Sequence, residues 1–133
     1  MRSVFADTFY FLALLDSREE RHEEAVEASR DQELRLVTTE WVLAEFGDAY
    51  CHPEDRKDFV ALYRSLVNHP RVKIVPADPR LFQRGVDLFE QRADKDWSLT
   101  DCLSFVVMGD EGITQALTGD KHFEQAGFVA MLK

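Results

Sequence analysis

The apolar run from Val4 to Leu15, VFADTFYFLALL, is broken by a single acid, Asp7. No other stretch constrains the fold so tightly, because a carboxylate inside such a run needs a hydrogen-bonded, charged or metal partner to offset its burial. Ser3 to Ala6 is rich enough in branched and aromatic side chains for a buried strand, and Phe9 to Leu15 reads as a short helix. Asp7 therefore falls at the C-terminal edge of the strand. In open α/β sheets ligands bind at that edge, where the following helices point their positive N-termini into the crevice. The plainer alternative is that Asp7 only caps the helix behind it.

The segment SREERHEEAVEASRDQ is charged on all sides except at Ala25, Val26 and Ala28, which predicts a solvent-facing helix on a narrow apolar stripe with His22 exposed. Glu33 to Thr38 reads as a second strand, ending in Thr38 and Thr39, both natural helix N-caps. In the helix from about Glu40 to Tyr50 the apolar stripe is Trp41, Val42, Phe46, Ala49 and Tyr50, and Glu45 projects from inside it. An acid on a buried face is costly unless paired or bound to a metal. A salt bridge to an arginine is the plainer explanation of Glu45.

His52 to Asn68 is a further amphipathic helix, and Arg71 to Pro76 a third strand. Asp78 and Pro79 give an N-cap and a first-turn proline, opening a helix to about Ala93. The segment DKDWSLTDCLSFVVM passes from a polar loop into a helix apolar on almost every side, which means a buried central helix. Ser98 and Asp101 match the S-x-x-D capping pattern, and Asp94 and Asp96 in the loop can approach the same crevice. ITQALTGD makes a fourth strand ending at Thr118 with Asp120 just beyond, and Phe128 to Leu132 a fifth.

Alternating strands and helices predict a three-layer α/β/α sandwich around a central, mostly parallel five-stranded sheet. The 133 residues suit a single domain, and 45% hydrophobic residues can fill its core. No apolar run is long enough for a bilayer, Asp7 interrupts any signal-peptide core, and Cys51 and Cys102 lack metal-ligand or redox spacing. These features predict a cytoplasmic protein with reduced cysteines. A net charge of −9 argues against general nucleic-acid affinity. It is compatible with a nuclease whose acids gather around cations.

If the first and fourth strands are neighbours, Asp7, Glu45, Asp101 and Asp120 converge. Hard oxygen ligands without cysteine or well-spaced histidine point to Mg²⁺ or Mn²⁺ rather than zinc. Two such ions about 4 Å apart are a common arrangement for phosphodiester hydrolysis.

The Asp7–Thr8 pair after the first strand, TTEWVLAEF with Glu45, SLTDCLSF with Asp101 and LTGDKHFEQAGF with Asp120 together resemble a PIN domain, and within that family the VapC-type toxins of bacterial toxin–antitoxin pairs. The resemblance covers essentially the whole chain. It implies a Mg²⁺-dependent ribonuclease acting on RNA, with Asp7, Glu45, Asp101 and Asp120 as the metal-binding set. It also implies a homodimer held inactive by a small cognate antitoxin, with no membrane association. Thr8 and Thr118 match positions where the family often keeps a hydroxyl near the acids. Two other readings remain: a PIN-fold interaction module that does not cleave, and a Mg²⁺-dependent phosphatase of the haloacid dehalogenase type. The second requires an acid two positions after Asp7, where this chain has Phe9.

Overall fold

A computed structural model describes residues 1–133. The sheet comprises β1 (Arg2–Ala6), β2 (Leu34–Thr39), β3 (Val72–Val75), β4 (Gln115–Leu117) and β5 (Val129–Ala130). Between β1 and β2 run α1 (Thr8–Leu15) and α2 (His22–Arg30); between β2 and β3, α3 (Glu40–Ala49) and α4 (Arg56–Val67). Next come α5 (Pro79–Gln91) and α6 (Leu99–Glu111) before β4, and α7 (Lys121–Gln125) before β5. The strand order is β3-β2-β1-β4-β5 and every pairing is parallel, so the expected mostly parallel sheet has no antiparallel member.

This order places the site. The chain moves from β1 through β2 to β3 in one direction, then returns past β1 to lay down β4 and β5. Parallel connections are almost always right-handed, so reversing direction moves the helices to the opposite face. Contacts agree: α1 packs on α2 and α3, and α3 on α4, whereas α5 packs on α6 and α6 on α7. The reversal falls between β1 and β4, paired Phe5 to Ala116 and Ala6 to Leu117. Such a switch point leaves a crevice beyond the strands' carboxyl ends.

Burial follows strand position. Val4, Phe5 and Ala6 of β1 are completely buried, as a central strand covered on both faces requires, whereas the edge strands β3 and β5 are short and half exposed. One cluster of 24 buried apolar residues fills both sides of the sheet. Phe11 stacks on Phe46 on one side, and Phe105 meets Phe123 edge to face on the other. Both cysteines are free thiols, Cys102 buried in α6 and Cys51 exposed. No helix is long and apolar enough to cross a membrane.

Two local expectations need correction. The charged segment after α1 does not become helical until His22, because the Asp16 carboxylate accepts the Arg18 backbone N–H and guanidinium and holds a turn there. His22 is not free in solvent: α2 folds back against α1, and the imidazole Nδ1 lies 2.7 Å from the Ala13 carbonyl. That carbonyl belongs to the last turn of α1, where backbone acceptors have no helical partner.

Gly85 marks the close approach of α5 and α6. A Cβ at this position would stand 2.3 Å from Leu103 Cδ2 and 2.8 Å from its Cγ, and Leu103 is itself 2% exposed. Alanine would favour the helix by about 1 kcal/mol over glycine, but overpacking costs about 1–3 kcal/mol. Gly85→Ala should therefore lower the denaturant midpoint rather than raise it.

Candidate metal centre

Asp7 leaves β1 with extended backbone, φ −90° and ψ 167°, and its side chain makes no capping hydrogen bond to α1. The capping explanation therefore fails. The side chain is 6% exposed, and Oδ2 accepts a hydrogen bond of 2.9 Å from Thr118 Oγ1 across the switch point. Burial pushes this carboxyl up to about 7; the Thr118 bond opposes the rise, and the charges of Asp101 and Glu45 add to it.

Thr118 is fully buried and serves both strands. Besides donating to Asp7, its Oγ1 accepts the Asp120 backbone N–H at 3.1 Å. Asp120 caps α7 by accepting the His122 backbone N–H at 2.9 Å. Gly119 lets this turn pass beneath α1, since a Cβ here would lie 2.6 Å from the Phe9 ring and 2.9 Å from the Leu132 carbonyl oxygen. The position at which a haloacid dehalogenase-type phosphatase needs its second acid is thus filled by a packed phenyl ring.

Asp101 combines the two roles that its sequence context left as alternatives. The capping box at the start of α6 is complete, with Asp101 N–H on Ser98 Oγ and Ser98 N–H on Asp101 Oδ2, each at 3.0 Å. The same Oδ2 lies 3.0 Å from His122 Nδ1, which is 3.3 Å from Asp120 Oδ1. Burial holds the Asp101 carboxyl above the usual carboxylate range, the Ser98 N–H opposes this, and the Asp120 charge adds to it.

Glu45 occupies a different setting from the one its sequence implied. The buried face of α3 is Val42, Leu43 and Phe46, which places Glu45 roughly 110° around the helix from the middle of that face, and it is exposed. Its carboxylate is held by the Thr8 hydroxyl, which donates to Oε1. No arginine pairs with Glu45. Asp94 pairs with Arg92 and Asp96 is exposed, so neither joins the group.

Asp101, Asp120 and His122 each offer a ligand atom, all within 4.8 Å of one another. Asp7 joins this set through Thr118 and Glu45 approaches from α3, and no lysine or arginine forms an ion pair with any of the four acids. Mutually repelling carboxylates, two of them buried, with no lysine or arginine counter-charge are a donor set that suits a divalent cation. His122 escaped the sequence reading. Its signal was the Asp120-x-His122 spacing, which brings both side chains to one turn only if that turn caps a helix.

A model of the PIN domain family matches residues 4–129. Among solved structures, the crystal structure of Mycobacterium tuberculosis VapC20, a sarcin-ricin loop cleaving toxin, superposes with a TM-score of 0.84 at 24% sequence identity, covering 98% of this chain and 99% of that one. FitAcB from Neisseria gonorrhoeae superposes with a TM-score of 0.66 at 16% identity, covering 96% and 94%. No curated protein matches the chain by sequence. At these identities the two structures bear on the fold, which they share.

Proposed function

Because this chain belongs to the PIN domain family, we propose that it is a divalent-metal-dependent endoribonuclease acting as the toxin of a toxin–antitoxin pair. The observation carrying this reading is the convergence of Asp7, Glu45, Asp101 and Asp120, from four separate places in the chain, on the sheet's switch point without a lysine or arginine partner. An interaction module has no use for buried like charges that raise one another's proton affinity. The fold likeness to a sarcin-ricin loop cleaving toxin is the reason RNA is the substrate class proposed.

In this reading Asp7, Asp101 and Asp120 hold Mg²⁺ or Mn²⁺, and Glu45 completes the set from the rim. Bound there, the cation would supply activation of water and stabilisation of the leaving phosphate oxygen. The chain supplies position. Thr118 fixes the Asp7 carboxyl, Ser98 fixes that of Asp101, and Thr8 restrains Glu45, an otherwise mobile surface side chain. Such outer hydrogen bonds are worth about 10–100-fold in metal affinity.

The partners are a second copy and a small antitoxin. Phe82 and Phe89, two turns apart on α5, and Val60, Tyr63 and Val67 on α4 are exposed apolar side chains suited to being covered by them. The deciding experiment is cleavage of mixed cellular RNA with Mg²⁺, with Mn²⁺ and with EDTA. Cleavage should require the cation and stop with chelator. Cleavage that persists in EDTA at the same specific activity through successive purification steps overturns the metal reading, and absence of cleavage with either ion and any RNA fraction overturns the nuclease reading.

A further inference from the structure

His122 stands at the centre of the acid group without being part of the acidic set. Its Nδ1 lies 3.0 Å from Asp101 Oδ2, within hydrogen-bond reach, and 3.3 Å from Asp120 Oδ1. Each of those oxygens also accepts one backbone N–H, Ser98 for Asp101 and His122 itself for Asp120. A carboxylate oxygen carries two lone pairs. One on each is thus committed to the backbone, which leaves one on each for the imidazole or for a cation.

These separations also fit coordination. Donors about 2.1 Å from a common ion and at 90–109° to each other stand about 2.9–3.4 Å apart. Both measured separations fall within that interval, and the three donor atoms together lie within 4.8 Å. Asp7 is more than nine-tenths buried and is tied to this group through Thr118, whose Oγ1 donates to Asp7 Oδ2 and accepts the Asp120 backbone N–H.

We propose that His122 is a protein ligand at this centre, so that the site selects borderline ions, Mn²⁺ or Zn²⁺, over Mg²⁺. This rests on the reading of Asp101 and Asp120 as metal-holding residues. Two carboxylates alone favour hard ions, whereas an added imidazole nitrogen shifts preference along the divalent transition series towards zinc. Coordination replaces the Nδ1 hydrogen bond with a bond from the Nδ1 lone pair. Any proton on Nδ1 is given up to solvent, which the 20% exposed side chain permits, and the ring's remaining N–H is on Nε2.

The test is calorimetric titration of the full chain with Mg²⁺, Mn²⁺ and Zn²⁺ separately, in wild type and His122→Asn. Asparagine retains an N–H donor for the acids but not the nitrogen lone pair. Wild type should bind Zn²⁺ and Mn²⁺ more tightly than Mg²⁺. The variant should lose at least about 10-fold in Zn²⁺ affinity while Mg²⁺ affinity changes by less than about 3-fold. Equal losses for both ions would make the ring a positioning group, and unchanged Zn²⁺ affinity would remove it from the site; either overturns the inference. Pulsed EPR of one equivalent of Mn²⁺ on wild type does not depend on the variant folding, and should show a directly bound imidazole nitrogen. Bound Mn²⁺ without that coupling overturns the role of His122 but leaves the acidic site standing, whereas no binding of any of the three ions overturns both.

Discussion

Asp7→Asn should raise the melting temperature of the metal-free protein at pH 8 and abolish RNA cleavage. The Asp7 carboxyl is raised from 3.8 to about 7, chiefly by burial. A folded state that holds a proton more tightly than the unfolded chain is favoured when that proton is bound. The stabilisation is therefore complete below about pH 4 and is lost as pH rises through 7. At pH 8 wild type bears the whole cost of a buried charge, at most about 4 kcal/mol. Asparagine removes that cost and keeps an oxygen to accept from Thr118, so the variant should lack this contribution to the decline that wild type shows. The readout is the difference in melting temperature between the two proteins from pH 4 to pH 8 with EDTA present, because acids paired with arginine, such as Asp16, Asp94 and Asp110, shift the other way and cancel in that difference. Mg²⁺ should narrow the gap at pH 8 by neutralising the wild-type charge. A less stable variant at pH 8 would mean that the carboxylate has a favourable partner in the folded protein.

That carboxylate was legible in the sequence for a physical reason: a lone acid in an apolar run has few places to go. The parallel sheet was equally legible, since strands alternating with helices leave little other choice. The meeting of β1 with β4 came only as a condition, because strand adjacency is settled by which face each crossover helix covers. The rotation of α3 was misread: Trp41, Ala49 and Glu45 look apolar-sided on a helical projection, yet Leu43 rather than Trp41 turns to the core and Glu45 moves to the rim. His22 and His122 were invisible for a common reason. Each ring finds its partner across a tertiary contact, Ala13 at the end of α1 in one case and Asp101 at the start of α6 in the other, and a histidine's neighbours in sequence do not announce either.

Asp101 provides the second large effect, because one side chain both caps α6 and faces the metal centre. Asp101→Asn should lose at least about 100-fold in cleavage, more than the 10–100-fold typical of losing an outer hydrogen bond to a ligand. Its stability should nevertheless match or exceed that of wild type in the absence of metal. The amide oxygen can still accept the Ser98 N–H that Oδ2 now takes, and the change removes a desolvated charge that repels Asp120. Asp101→Ala should show the same catalytic loss but unfold about 1 kcal/mol more easily, since it deletes the cap itself. Comparing the two variants therefore separates roles that sequence position alone confounds. If Asn were as destabilised as Ala, the cap would depend on the charge and not on the oxygen. If Asn still cleaved RNA, Asp101 would be a capping residue alone, and the metal would have to be held by Asp7, Glu45 and Asp120 without it.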